Sequence, residues 1–127
     1  MNKLKILVID DDKNINDLLT KLFELNDYLV ETAMNGQIGF EKAVKEDFDL
    51  VTMDIKMPLW NGLDAIGALE IVKPELKILV ISGFLNDHEK QKIKEAPNVL
   101  KIILKPFQVN DLLKEINLAL KRNTTTS

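Results

Sequence analysis

The stretch Leu50-Val51-Thr52-Met53-Asp54-Ile55-Lys56-Met57-Pro58 decides how the chain is read. A short run, apolar but for Thr52, stops at one carboxylate, and a proline follows four residues later. That pattern is a buried strand delivering Asp54 to a loop at its carboxyl end. In open α/β sheets this is the edge where ligands bind. By itself Asp54 is better explained as a turn residue or helix cap, roles that suit Asp, than as a nucleophile for a phosphoryl group. What decides is whether other strand ends bring matching chemistry to the same place.

Outward from this stretch, the pattern repeats. Residues 4–9 carry Ile6, Leu7, Val8 and Ile9 without polar interruption, as a central parallel strand does. Three acids stop that run, and Asp12 or Asn14 can cap a helix to about Leu25 with Ile15, Leu18, Leu19, Leu22 and Phe23 on one face. A second strand is expected over 28–33. A helix then opens at Asn35-Gly36 and turns Phe40, Ala43 and Val44 inward. Past Pro58, a helix is expected over about 63–72, with Gly67 in its interior at a cost of about 1 kcal/mol against Ala. A fourth strand follows over 77–81. Residues 86–96 read as a charged helix anchored by little besides Ile93. A fifth strand covers 99–104. A last helix uses Val109, Leu112, Leu113, Ile116, Leu118 and Leu120, with Lys121 and Arg122 in its final turn. Alternating βα units imply a parallel sheet with helices on both faces. The common five-stranded arrangement is the flavodoxin-like order 2-1-3-4-5.

Composition bounds the rest. A chain of 127 residues, 46% apolar and 29% charged, fits one globular domain. We expect it to fill residues 1–122, leaving 123–127 as a polar tail or the start of a linker. The net charge of −3 with interspersed signs argues against direct nucleic-acid binding, which needs a basic stripe. No cysteine is present, so disulfides and thiolate metal sites are excluded. No apolar run is long enough to span a bilayer, and the N-terminus runs straight into a strand rather than a signal peptide. A cytoplasmic location without membrane contact is the expectation.

In the 2-1-3-4-5 order, the ends of strands 1 and 3 are neighbours. Asp10-Asp11-Asp12 and Asp54 then share one cleft. Two like charges ~4 Å apart repel by about 4 kcal/mol at an effective dielectric of 20. Such a cluster needs a cation or must take up protons. The ligands are hard oxygens, which makes Mg²⁺ the natural choice. Strand 4 ends in Ser82-Gly83, a small hydroxyl donor, and strand 5 in Lys105, a mobile cation of the kind that holds a phosphoryl oxygen. Each residue alone has an ordinary reading as a cap, a turn residue or a solvated charge. Their meeting at one edge carries the signal.

The strings ILVIDDD, DLVTMDIKMP, NGLDAI, LVISG and LKPF resemble the signature of the response-regulator receiver domain of two-component signalling, over about residues 4–122. The resemblance implies a chemotaxis-regulator-like receiver. In it Asp54 is the phosphoacceptor. Mg²⁺ is held by Asp10, Asp11, Asp54 and the Lys56 backbone carbonyl. Ser82, Gly83 and Lys105 attend the phosphoryl group, and the Lys105-Pro106 bond is cis. The domain takes its phosphoryl group from a sensor histidine kinase or histidine phosphotransfer protein. It catalyses its own phosphorylation and dephosphorylation rather than acting as an enzyme on other substrates. Its output goes to a downstream protein, or to self-association, through the face of the fourth helix, fifth strand and fifth helix. The aromatic switch residue that the family usually carries three positions before the lysine is replaced here by Ile102, and Phe84 is the candidate to substitute for it in part. Trp60 is expected to pack on the domain and His88 to be solvated.

One rival is a haloacid-dehalogenase-type phosphatase with Asp10 as nucleophile. It leaves Asp54 unexplained, lacks a later acidic pair and has no room for a cap. A flavodoxin-like cofactor binder needs a Gly- or hydroxyl-rich loop after strand 1, where this chain has three acids.

Overall fold

Unbroken apolar runs alternating with amphipathic ones build a sheet covered by helices on both sides. The computed structural model describes residues 3–57 and 60–121. Along them run β1 (Lys5–Ile9), α1 (Lys13–Leu25), β2 (Leu29–Ala33), α2 (Gly36–Lys45) and β3 (Leu50–Met53). Then come α3 (Gly62–Val72), β4 (Ile78–Ser82), α4 (Asp87–Glu95), β5 (Val99–Leu104) and α5 (Val109–Ala119). All strand pairs are parallel, in the order β2-β1-β3-β4-β5.

Side chains alternate between the two faces of the strands. Leu7, Ile9, Val51, Met53, Ile78 and Val80 pack with Ala43 of α2, Ala65, Ile66 and Leu69 of α3, and Ile93 of α4. Ile6, Val8, Leu50, Leu79 and Ile81 pack with Leu19 and Phe23 of α1 and Leu112 and Ile116 of α5. Both faces are covered, which is why the central strands carry so few polar residues.

Register positions the site. Ile6 lies opposite Leu50 and Ile9 opposite Met53. β1 and β3 therefore end level, and Asp10 and Asp54 follow side by side. The backbone ladder continues through them. The Asp54 N–H donates to the Ile9 carbonyl (3.0 Å), and the Asp10 N–H to the Ala33 carbonyl (3.1 Å). Helix starts are fixed by short polar side chains. Asp12, Asn35, Asn61 and Asn86 each accept a hydrogen bond from a backbone N–H in the first turn of α1 to α4. Asp12, not Asn14, is therefore the α1 cap.

Several expectations shift. Val44 is exposed, because α2 turns Gly39 and Ala43 to the sheet instead, while Gly36 lies against the backbone of Trp60 and Asn61. Ile9 fills the space beside Gly39 that a Cβ would take. Leu18, Val109 and Leu118 are also exposed. α5 stops at Ala119, and Lys121 sits in the left-handed region at φ 58°. Lys121 is thus outside the last helical turn, while Arg122 and residues 123–127 lie outside the described residues. β4 extends to include Ser82. α4 is as thinly anchored as its composition implies, with Ile93 its buried residue.

Two glycines on α3 behave oppositely. A Cβ on Gly62 would strike the Asp54 carbonyl oxygen and come within 2.8 Å of the Ile55 Cα, because the loop after β3 folds back on the helix start. A Cβ on Gly67 would meet nothing within 4 Å. Gly67→Ala is expected to stabilise the protein by about 1 kcal/mol through helix propensity. Gly62→Ala should destabilise it by about 2 kcal/mol or more through backbone displacement. Urea unfolding midpoints of the two variants check the opposite signs.

Candidate functional site

Four strand ends converge on one cleft. Asp10 and Asp11 follow β1, Asp54 follows β3, Ser82 closes β4 and Lys105 follows β5. Asp10, Asp54 and Ser82 are buried, while Asp11 is exposed at the mouth. The Ser82 hydroxyl donates to Asp54 Oδ1 at 2.9 Å. Lys105 Nζ donates to Asp10 Oδ2 at 2.7 Å and stands 3.6 Å from Asp54 Oδ2. The Lys105 N–H donates to the Ser82 carbonyl at 2.8 Å, so sheet pairing fixes the lysine beside the serine. The Lys105-Pro106 bond is cis.

The acids form a tight group. One carboxylate oxygen from each of Asp10, Asp11 and Asp54 lies within 4.8 Å of the others. Burial pushes the Asp10 carboxyl above its ordinary value, and the Asp54 charge adds to this. The hydrogen bonds from Lys105 and from the Asp12 N–H oppose the shift without cancelling it. Burial alone would lower the Lys105 ammonium, but its hydrogen bond to Asp10 and the charges of Asp54 and Asp10 outweigh that and raise it. Three acids thus face one lysine in a partly buried cleft. This all-oxygen donor set, open at Asp11, fits a hard divalent cation.

The remaining candidates lie around the rim. A Cβ on Gly83 would meet nothing within 4 Å, so the cleft is open on that side. Phe84 projects outward, 75% exposed. Ile102 is half-buried against the core on the α2–α3 side of the sheet. Lys56 lies two residues past Asp54, and its side chain leaves the acids to pair with Glu89 of α4 at 2.8 Å. Trp60 packs edge-on against Phe40 of α2 with ring centroids 5.3 Å apart. His88 is exposed on α4.

Sequence reasoning missed two neighbours. Asn16, buried in α1, donates from Nδ2 to the Asp10 carbonyl at 2.9 Å and holds the turn that carries the acid pair. Its signal was a polar residue four positions after the Asp12 cap, on the inward side of an amphipathic helix. Glu89 was hidden among the charges of α4.

The folded state raises the Asp10 pKa, so it binds that proton more tightly than the unfolded chain. The resulting stability is complete below the unfolded value and is lost as pH rises through the folded one. At neutral pH the ionised Asp10 is therefore a net cost. Asp10→Asn should raise Tm at pH 7 in the presence of a chelator and reduce the Tm gain on adding a divalent cation. Paired thermal melts with and without the cation measure both.

With this geometry, the kinship of the chain is plain. A family model for the response regulator receiver domain matches residues 6–117. The response regulator receiver protein CpdR of Brucella abortus is 34% identical over 116 residues, covering 88% of this chain and 92% of that protein. Other curated relatives are longer, and the chain spans about half or less of their length. A CheY-like receiver domain protein from Methanospirillum hungatei superposes with a TM-score of 0.91 at 28% identity, over 94% of this chain and 95% of that one. The response regulator TrrA of Thermotoga maritima, solved in complex with Mg²⁺-BeF, superposes with a TM-score of 0.82 at 28% identity, over 92% of this chain and 99% of that one. The haloacid-dehalogenase reading finds no support among these matches, and it leaves the Ser82–Asp54 contact without a purpose. A strand-end acid touched by a hydroxyl and a lysine, in a chain matched by this family over nearly its whole length, makes the protein a member of the response regulator receiver family, the phosphoacceptor signalling domain of two-component systems.

Proposed function

We propose that Asp54 is the phosphoacceptor and that Asp10, Asp11, Asp54 and the Lys56 backbone carbonyl hold Mg²⁺. The observation that carries this reading is the pair of contacts on Asp54: its Oδ1 accepts from Ser82, and its Oδ2 faces Lys105. Among the described residues, no other acid of the cleft has a hydroxyl and an ammonium on separate oxygens. A carboxylate oxygen of Asp54 attacks phosphorus. The bond from phosphorus to the donor's imidazole nitrogen breaks, and that nitrogen takes a proton from solvent. Lys105 offsets charge on the transferring oxygens, and Ser82 turns its hydroxyl from the carboxylate to the new phosphoryl group. Mg²⁺, when bound, neutralises the acid cluster and the phosphoryl charge. Water later attacks phosphorus, releasing phosphate and restoring the Asp54 carboxylate. The chain thus catalyses its own phosphorylation and resetting.

The donor is a phosphohistidine on a sensor kinase or phosphotransfer protein. The output face is α4, β5 and α5, where Leu100 and Leu104 stand exposed and α4 is lightly anchored. The domain covers residues 1–122, and 123–127 is a tail or the start of a linker. A cytoplasmic location accords with this role, and no helix among the described residues is long and apolar enough to cross a membrane. The acid cluster offers ligands of the class that Mg²⁺ takes, and the Mg²⁺-BeF complex of TrrA supports the same choice.

Incubation with acetyl phosphate and Mg²⁺ should add the mass of one phosphoryl group to the intact protein, and Asp54→Asn should abolish the gain. No increment on the unmodified protein would contradict the proposal. Mg²⁺ should also change the fluorescence of Trp60, which lies in the same β3–α3 connection as Asp54. A flat titration would count against a metal beside that loop.

A further inference from the structure

α4 is flanked by the buried Leu85 and Ala96. Ile93 is buried beneath it. Its first turn is closed by a reciprocal cap: Asn86 Oδ1 accepts from the Glu89 N–H at 2.8 Å, and Glu89 Oε1 accepts from the Asn86 N–H at 3.0 Å. The second oxygen of Glu89 is also taken. Oε2 accepts from Lys56 Nζ at 2.8 Å, with the Glu89 side chain 14% exposed and Lys56 50% exposed. One carboxylate therefore joins the start of α4 to the loop that leaves Asp54.

We infer that Glu89 is a positioning residue that holds the Lys56 ammonium off the acid cluster, and that the Lys56–Glu89 pair is the contact through which a phosphoryl group on Asp54 acts on α4. This rests on the reading of Asp54 as phosphoacceptor. In the unmodified protein, Asp54 is already served by Ser82 and Lys105. Glu89 keeps a further cation from entering the cleft, where it would compete with a divalent ion for Asp10, Asp11 and Asp54. Phosphorylation replaces the single charge of the Asp54 carboxylate by a phosphoryl group of about −1.5 to −2, two residues from Lys56. The ammonium on its flexible four-carbon stem then has a stronger partner than the single charge of Glu89. When it leaves, Glu89 retains its cap bond to Asn86. α4 stays helical but loses its tie to the β3–α3 loop, with Ile93 and the flanking Leu85 and Ala96 still buried. Such a relay needs no ring at position 102.

The test uses the full chain with acetyl phosphate and Mg²⁺ as probe. Intact mass reports phosphoryl uptake, and hydrogen exchange is read on the peptide covering 86–96. The variants are Lys56→Met and Glu89→Gln, the second keeping an amide oxygen for the Asn86 N–H. Without the phosphodonor, both variants should exchange α4 amides about threefold faster than the unmodified protein, the scale of a partly exposed ion pair. They should match the phosphorylated protein, and phosphorylation should add nothing further. In addition, Glu89→Gln should raise the Mg²⁺ needed for half-maximal uptake by about threefold, and adding Lys56→Met to it should restore the original requirement. A purely structural loss at the cap would not be rescued in this way. The inference is overturned if the unphosphorylated variants exchange like the unmodified protein, if they keep its full response to phosphorylation, or if the double variant shows no rescue. Failure of the unmodified protein to gain the phosphoryl mass overturns the assignment of Asp54 itself, which the mass spectrum reports separately.

Discussion

The structure depends on keeping like charges together. β1 and β3 end level in a parallel sheet, and each hands a carboxylate to the same cleft. Charges this close repel by an energy on the order of 4 kcal/mol per pair at an effective dielectric of 20. That is a large part of the net stability of a small domain, about 5–15 kcal/mol. The unbroken apolar packing on both sides of the sheet holds the arrangement in place, and Lys105 offsets only part of it. Neutralisation by a cation relieves the strain. The site is therefore unstable by construction, as clustered functional carboxylates are.

The surroundings divide into a rigid half and a loose half. On one side Asn16 pins the Asp10 turn, and Gly62 lets the β3 loop lie flat on the start of α3. These contacts fix the acids. On the other side Ser82 and Lys105 reach Asp54 from β4 and β5, and the helix between those strands buries a single residue. A change of charge at Asp54 thus acts on the half of the fold with the least to hold it. Ile102, packed half-buried against the core, offers no ring to rotate, and the polar contact between the β3–α3 loop and the amino end of α4 is the Lys56–Glu89 pair.

Much of this was legible in the residues. The apolar runs ending in Asp10, Asp54, Ser82 and Lys105 fix where strands stop, and alternation of βα units fixes their order. Those signals rest on period and on chain breaks, which are local. What the sequence could not convey depends on rotation and reach. Val44 sits one position off the buried stripe of α2, and only the close packing of Gly39 on Ile9 shows it. α5 stops short of Lys121 because the chain turns left-handed there. Asn16, six residues past Asp10, and Glu89, on α4 far from its partner Lys56, each look like an ordinary polar helix residue until the fold shows what they touch.

The central claim is that phosphoryl transfer ends on Asp54 and on no other acid of the cluster. Borohydride reduces an aspartyl phosphate to homoserine, so peptide mass mapping after phosphorylation by acetyl phosphate and reduction locates the modified residue directly. The account predicts homoserine at position 54 alone. Homoserine at position 10 or 11, or none after verified phosphoryl uptake, would contradict it.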